Sequence, residues 1–264
     1  MLVSAAHYAF AAQPPEETAL ARPPVAGPVE KKTNDRWLLG PLSVDAPAVA
    51  PFPSPAPSPL AAATAEGPEA PMVALTFDDG PWPGQTEHVL AVLAERNVPA
   101  TFFLLGSQVE RAPHLALAIV TAGHAVGNHA YSHRRLDNAP ADVVEWEIVH
   151  TANRIQEVTA VRPGWFRPPA GEFCVSSYEW AARTGSRPAL WTVDPQDWRD
   201  STTAEEIAAI VLGAAHPGAV VVLHDGGGDQ RQTIAALPAI IDGLRAAGYQ
   251  FVTLDQLPGV KGAW

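Results

Sequence analysis

The sequence predicts an α/β fold, a distorted (β/α) barrel of about seven parallel strands, preceded by a Pro/Ala-rich irregular N-terminal segment. Three observations carry this. From Met72 onward, apolar runs of strand length alternate with segments of helical period, the pattern of parallel strands joined by crossover helices. About seven such units in roughly 190 residues are too few for a complete eight-fold barrel, so an incomplete or distorted barrel is favoured, with a doubly wound open sheet as the alternative. Before Met72 the texture is different, since 14 of the 27 prolines fall within residues 1–71.

The elements follow in order. Met72-Val73-Ala74-Leu75-Thr76-Phe77 reads as a buried strand, and Thr86 to Arg96 as a helix with Val89, Leu90 and Leu93 on one face. Ala100 to Leu105 is a second strand; His114 to Ala122 is a helix stopped by Gly123; His124 to Asn128 is a short third strand. Asp142 to Val158 is the next helix. Later strands are expected at Gly164–Phe166, Ala189–Val193, Ala219–Leu223 and Gln250–Leu254, with helices near 176–184, 203–214 and 232–247. This divides the chain into an N-terminal segment or linker, 1–71, and one folded domain, 72–264.

Within the first segment, Ala50 to Pro59 alternates proline with small residues. Proline removes backbone donors and restricts φ, so an extended, polyproline-like spacer is expected. Trp37-Leu38-Leu39 is an apolar patch there that could dock on the folded part. Met1 to Ala12 has an Ala-x-Ala pattern near its end like a secretory signal, but no basic n-region, and is either a signal remnant or without meaning. A Pro-rich spacer before a compact domain suits a secreted or cell-wall-associated bacterial enzyme.

Composition excludes several classes. The formal net charge of -11 argues against a nucleic-acid partner, because binding phosphates needs clustered Lys and Arg. A single cysteine, Cys174, excludes an intrachain disulfide and a Cys-based structural zinc site; a plain loop thiol is expected. No apolar run approaches the ~20 residues of a membrane span. The chain is expected to be a monomer.

Function is expected at the C-terminal ends of the strands, and chemistry-bearing residues gather there. The first strand ends in Asp78-Asp79-Gly80-Pro81. Adjacent carboxylates at a buried strand tip need compensating charge, which a cation would supply, although the same letters also fit an ordinary Asp-Gly turn. The third strand runs into His129 and His133; on a helical turn that spacing puts both imidazoles on one face, a metal-ligand arrangement, whereas two solvated loop histidines are the plainer alternative. Arg167-Pro168-Pro169 follows the fourth strand. Asp194-Pro195-Gln196-Asp197-Trp198 and Leu223-His224-Asp225 follow later ones. Gly226 to Gly228 lacks the lysine and spacing of a phosphate loop. His124 reads as a core histidine; His7, His88, His114, His150 and His216 read as surface.

Together, Thr76-Phe77-Asp78-Asp79-Gly80-Pro81, His129-x-x-x-His133, Arg167-Pro-Pro, Asp194-x-x-Asp197-Trp198 and Leu223-His224-Asp225 resemble, in order, the motifs of the polysaccharide deacetylases, the NodB-homology domains of carbohydrate esterase family four. The resemblance covers residues 72 to 257. It implies a distorted (β/α) barrel with one divalent metal, usually zinc, with cobalt or nickel as alternatives, and hydrolysis of N-acetyl or O-acetyl groups on a polysaccharide. By the resemblance, Asp79, His129 and His133 bind the metal, Asp78 is the general base, Arg167 orients Asp78, His224 is the general acid and Asp194 tunes His224. The chain departs from the family at Ala170, where tyrosine is usual and whose backbone N–H is the expected oxyanion donor, and at Val222, where leucine is usual. Trp82 and Trp198 are expected to wall the sugar groove. The leading expectation is N-deacetylation of N-acetylglucosamine polymers, peptidoglycan or chitin-type; an O-acetyl xylan esterase and a non-catalytic carbohydrate-binding domain are the alternatives.

Overall fold

The computed structural model describes residues 70–259. The spacer, the Trp37-Leu38-Leu39 patch, Met1 to Ala12 and His7 lie outside the described residues. Strands β1 (Met72–Asp78), β2 (Thr101–Leu104), β3 (Ala125–Asn128), β4 (Trp165–Phe166), β5 (Arg187–Pro188), β6 (Ala219–His224) and β7 (Gln250–Phe251) alternate with helices α1 (Thr86–Glu95), α2 (Gly106–Arg111), α3 (Pro113–Thr121), α4 (Ala141–Thr159), α5 (Val175–Arg183), α6 (Ala204–Ala214) and α7 (Arg231–Ala246). The short α2 and a single 3-10 turn at Pro169–Gly171 were not expected from the sequence. Among the described residues every pairing is parallel, in the order β5-β4-β3-β2-β1-β6, and β7 joins the first two residues of β1.

The expected strand at Ala189–Val193 takes a different form. Ala189 N donates to Phe166 O of β4, while Thr192 N and Val193 N both donate to Val220 O of β6. This one stretch therefore bridges the two edges of the sheet and curls it into a distorted barrel. It is too sharply bent to form a regular strand of its own.

Side chains alternate across a strand with period two, and that alternation sorts the molecule. Val73, Leu75 and Phe77 of β1, Phe102 and Leu104 of β2, and Ala219, Val221 and Leu223 of β6 face outward. They pack against Val89, Leu90 and Leu93 of α1, Ile119 of α3, Ile155 of α4, Ile207 of α6 and Ile240 and Leu244 of α7. Burying each of these large side chains contributes about 1.5–3 kcal/mol, so this outer layer carries most of the fold. The opposite parity fills the barrel. Ala74, Phe103, Trp165 and Val220 form an inner cluster with Leu254 and Leu257. Gly127 belongs to the inner set because a Cβ there would lie 2.4 Å from the Phe103 ring. Extending each inner row toward the strand's C-terminal end gives Asp78 above Ala74 and Thr76, His129 above Gly127, Arg167 above Trp165, and Val222 and His224 above Val220. The apolar plug at the bottom and the polar constellation at the top thus follow from one alternation.

Candidate active site

At the end of β1, Asp79 takes a left-handed φ of 76°. Two adjacent strand residues would normally point to opposite faces; this kink aims Asp79 beside Asp78. Gly226 permits the close approach, since a Cβ there would meet the Asp79 carbonyl oxygen at 2.5 Å. Asp79, His129 and His133 converge, with one ligand atom from each within 4.8 Å of the others. Asp79 Oδ1 lies 3.4 Å from His129 Nε2 and 3.3 Å from His133 Nε2. Bonds of about 2.0–2.1 Å to a tetrahedral ion would hold ligand atoms about 3.3–3.4 Å apart, so these separations fit a zinc-type cation. Asp79 Oδ1 is buried and accepts no hydrogen bond, as expected of an oxygen reserved for an ion.

The histidine pair is not on a helical turn. Residues 129–133 form an irregular loop, with Ala130 at φ 64° and His133 at φ 60°, and these reversals bring the second imidazole back toward the first. His129 Nδ1 donates to the Arg167 carbonyl oxygen at 2.7 Å, which turns Nε2 toward Asp79; burial pulls this ring down, but Asp78 and Asp79 outweigh it and hold it above its ordinary pKa. Burial raises the Asp79 carboxyl, but His133 and His129 outweigh it and hold the group well below the ordinary carboxylate range. Burial, only partly opposed by Asp79, leaves His133 below its ordinary value. An anionic Asp79 and a neutral His133 are the states a cation requires, and at His129 a cation would take the place of a proton.

Arg167 is fully buried and lies against the face of Phe103, its guanidinium carbon 4.0 Å from the ring centre. Its Nη1 donates to Asp78 Oδ1 at 2.7 Å and to Thr76 Oγ1 at 2.9 Å, and its Nη2 donates to the Leu190 carbonyl at 3.1 Å. Burial pulls the guanidinium below its usual pKa and Asp78 opposes this. With Oδ1 engaged, Asp78 keeps Oδ2, 3.8 Å from His129 Nε2, on the side of the cation site.

His224 ends β6. Its ring is held by Asp197, not Asp194: Asp197 Oδ1 lies 2.8 Å from His224 Nδ1, and Oδ2 accepts from the His224 backbone N at 2.9 Å and from Thr233 Oγ1 at 2.9 Å. The expected tuning carboxylate Asp194 instead accepts from Gln196 N at 2.7 Å, in its own turn at the pocket rim. The reversal comes from Gln196, at φ 57°, which swings the chain so that the second acid of the motif folds under His224. Burial would lower His224, but Asp197 draws it up to about 10.

These groups open onto a pocket of about 540 Å³ lined by Asp78, Asp79, His129, His133, Ala170, Val222 and His224 at its base and by Trp191 and Trp198 at its wall. Trp198 is 52% exposed. Trp82, expected as the other wall, is outside this lining: the chain leaves the Gly80-Pro81 turn to start α1, where Trp82 O accepts from Gln85 N and Thr86 N and the ring sits 5.9 Å from the Arg111 guanidinium. Trp191 lines the pocket and Trp82 does not. Ala170, at φ 59°, is exposed in the 3-10 turn. Cys174 heads α5 with Sγ 3.4 Å from the Leu136 carbonyl, an ordinary packing position. His124, 8% exposed, accepts the Ala100 N–H through Nδ1 in the core.

Three features around the site escaped the sequence reading: Asp197 as the partner of His224, Trp191 in the pocket lining, and Glu147 of α4 behind the histidine loop. Glu147 did carry a signal. It shares the helix face of the buried Val144, Ile148, Thr151 and Ile155, where a charged residue is out of place.

A family model described as polysaccharide deacetylase matches residues 65–189. A peptidoglycan-N-acetylglucosamine deacetylase of Bacillus cereus is 37% identical over 188 residues, covering 70% of this chain and 87% of that protein. A chitooligosaccharide deacetylase of Rhizobium leguminosarum is 36% identical over 195 residues, covering 70% and 90%. The solved structure of the peptidoglycan deacetylase PdaC from Bacillus subtilis superposes with a TM-score of 0.66 at 35% identity, covering 72% of this chain and 91% of that one. With the barrel and its strand-tip constellation, these matches establish that the chain belongs to the polysaccharide deacetylase family of carbohydrate esterases.

Proposed function

We propose that the chain is a metal-dependent hydrolase that removes N-acetyl groups from N-acetylglucosamine-containing polysaccharide, peptidoglycan or chitin-type oligomers, outside the cytoplasm. One observation carries the reading: a cation-fitting Asp79/His129/His133 cluster lies in the same pocket as a free carboxylate oxygen and an imidazole of raised pKa.

Asp79, His129 and His133 would hold one divalent ion, with zinc fitting the donor set best. Bound there, the ion supplies Lewis-acid chemistry, lowering the pKa of a water toward about 7 and drawing charge from the acyl oxygen. Asp78 acts as the base: Arg167 fixes Oδ1, and Oδ2 takes the water's proton. The Ala170 backbone N–H steadies the developing oxyanion. An amine leaves poorly unless protonated, and His224 provides that proton from Nε2, because Asp197 holds Nδ1 and keeps the ring charged. Val222 offers an apolar floor for the acetyl methyl, and Trp191 and Trp198 offer aromatic faces for sugar rings. Similarity to the peptidoglycan and chitooligosaccharide deacetylases supports the N-acetyl substrate.

The test is acetate release from chitooligosaccharides, peptidoglycan and acetylated xylan, before and after chelation and on adding zinc back. Release from the first two that chelator stops and zinc restores is expected. Release that survives chelation, or that comes from xylan alone, would overturn the proposal.

A further inference from the structure

The loop that carries the two histidines is held from behind by a single buried acid. Glu147, 3% exposed on α4, accepts from Tyr131 N at 2.8 Å and Ser132 N at 2.9 Å through Oε2, and from Ser132 Oγ at 2.6 Å through Oε1. The next residue of the same helix also reaches the loop: the Ile148 carbonyl accepts from Asn128 Nδ2 at 2.8 Å, while Asn128 Oδ1 accepts from Ala130 N at 2.9 Å. From the other side, Gly106 N and Ser107 N at the start of α2 donate to the Ala130 and Tyr131 carbonyl oxygens at 3.0 and 3.1 Å. The loop's inner amides and carbonyls are thus satisfied in one geometry.

We propose that Glu147 is a positioning residue that sets cation affinity by locking the 129–133 loop, an inference that rests on the metal site proposed above. The loop holds two left-handed, non-glycine residues, Ala130 and His133, a conformation that persists only where the surroundings over-determine it. Glu147 supplies three of the hydrogen bonds that provide it. Its carboxylate gathers two consecutive N–H groups and the neighbouring hydroxyl, directly before His133. Without it the loop can relax toward ordinary φ, which carries His133 Nε2 away from its place 3.3 Å from Asp79 Oδ1. A buried acid is costly to keep unless its hydrogen bonds are complete, and here three donors from one short segment complete them. His133 follows Ser132 directly, so its backbone position is coupled to this clamp. His129, in contrast, is tied directly to β2 through its N–H and to Arg167 through its ring.

The experiment compares Glu147→Gln and Ser132→Ala with the wild type. Zinc affinity is read by competition with a chromophoric chelator, folding by circular dichroism melts, and acetate release at saturating zinc. Removing a direct hydrogen-bond partner of a metal ligand typically weakens binding by about 10- to 100-fold, and Glu147 acts on His133 through the adjoining Tyr131 and Ser132. Glu147→Gln is expected near the lower end of that range, about 10-fold, and Ser132→Ala to lose less, with the rate at saturating zinc falling far less than the affinity. Folded Glu147→Gln that binds zinc within about twofold of wild type would overturn the proposal. Should Glu147→Gln fail to fold, Ser132→Ala decides: weaker zinc binding supports the clamp, and unchanged binding overturns it. A wild-type protein that binds no zinc would overturn the metal site itself, whereas zinc binding and acetate release with an insensitive Glu147→Gln would remove only the clamp.

Discussion

Asp197 grips His224 at two points, with Oδ1 2.8 Å from the ring Nδ1 and Oδ2 2.9 Å from the backbone nitrogen. One carboxylate therefore fixes both the position of the residue and the charge of its ring. Because the folded-state pKa of about 10 lies above the ordinary 6.5, His224 is charged throughout the neutral range. The contribution of this pair to stability is complete below pH 6.5 and is lost as pH rises through about 10.

Asp197→Asn removes the charge that opposes burial, so His224 falls toward or below its ordinary pKa. The expected result is a neutral-pH rate lower by about 100-fold or more and an alkaline limb displaced to lower pH. Asp194→Ala, which breaks only a local turn, is expected to leave that limb in place. Rate–pH profiles of the two variants check this, and an unmoved limb in Asp197→Asn would exclude the pair as the source of the acid.

Asp78→Asn is expected to retain zinc, because Asp78 is outside the ligand triad, while turnover falls by about 10²–10⁴-fold. It also leaves Arg167 buried without its carboxylate, a change that costs about 3–5 kcal/mol when a buried pair is broken. Zinc titration, kcat and a melting curve on the same preparation separate these effects. Full turnover in the folded variant would exclude Asp78 as the base.

His124 titrates in the opposite sense to His224. Burial lowers it to about 4, so between about pH 4 and 6.5 the unfolded chain takes up a proton that the folded protein refuses. Stability from this residue is present above 6.5 and is lost as pH falls through that window, about 3 kcal/mol in all. The difference in urea midpoint between pH 7 and pH 4.5 is expected to be smaller in His124→Gln than in wild type.

Trp198 stands half exposed at the pocket wall, so Trp198→Ala is expected to leave the melting temperature nearly unchanged. Loss of one aromatic face for a sugar ring is worth about 1 kcal/mol, a rise of about fivefold in KM with kcat retained. Oligosaccharide kinetics measure it. An unaltered KM would place the sugar on Trp191 instead.

Much of the fold was legible because apolar runs and helical periods are local properties. Met72–Phe77 and Thr86–Arg96 were each expected within a residue of their observed bounds. Failures came where geometry is not local. Ala189–Val193 is apolar enough for a strand, yet it is bent to reach both β4 and β6. His129 and His133 were expected on a helical turn because four-residue spacing suits one, but two left-handed residues achieve the same convergence in a loop. Asp194 and Asp197 are equivalent as letters three apart, and only the reversal at Gln196 distinguishes them.

The order of residues was enough to assign parity. Once β1, β3, β4 and β6 are strands, period-two alternation commits Asp78, His129, Arg167 and His224 to the inside of the barrel, because slipping by one residue would bury polar groups in the outer core and expose its apolar ones. Which partner each of them meets came from the folded chain. Asp197 under His224, Trp191 beside the pocket and Glu147 behind the histidine loop are contacts between segments far apart or sharply reversed, and such contacts depend on the path of the backbone through space, which no local pattern encodes.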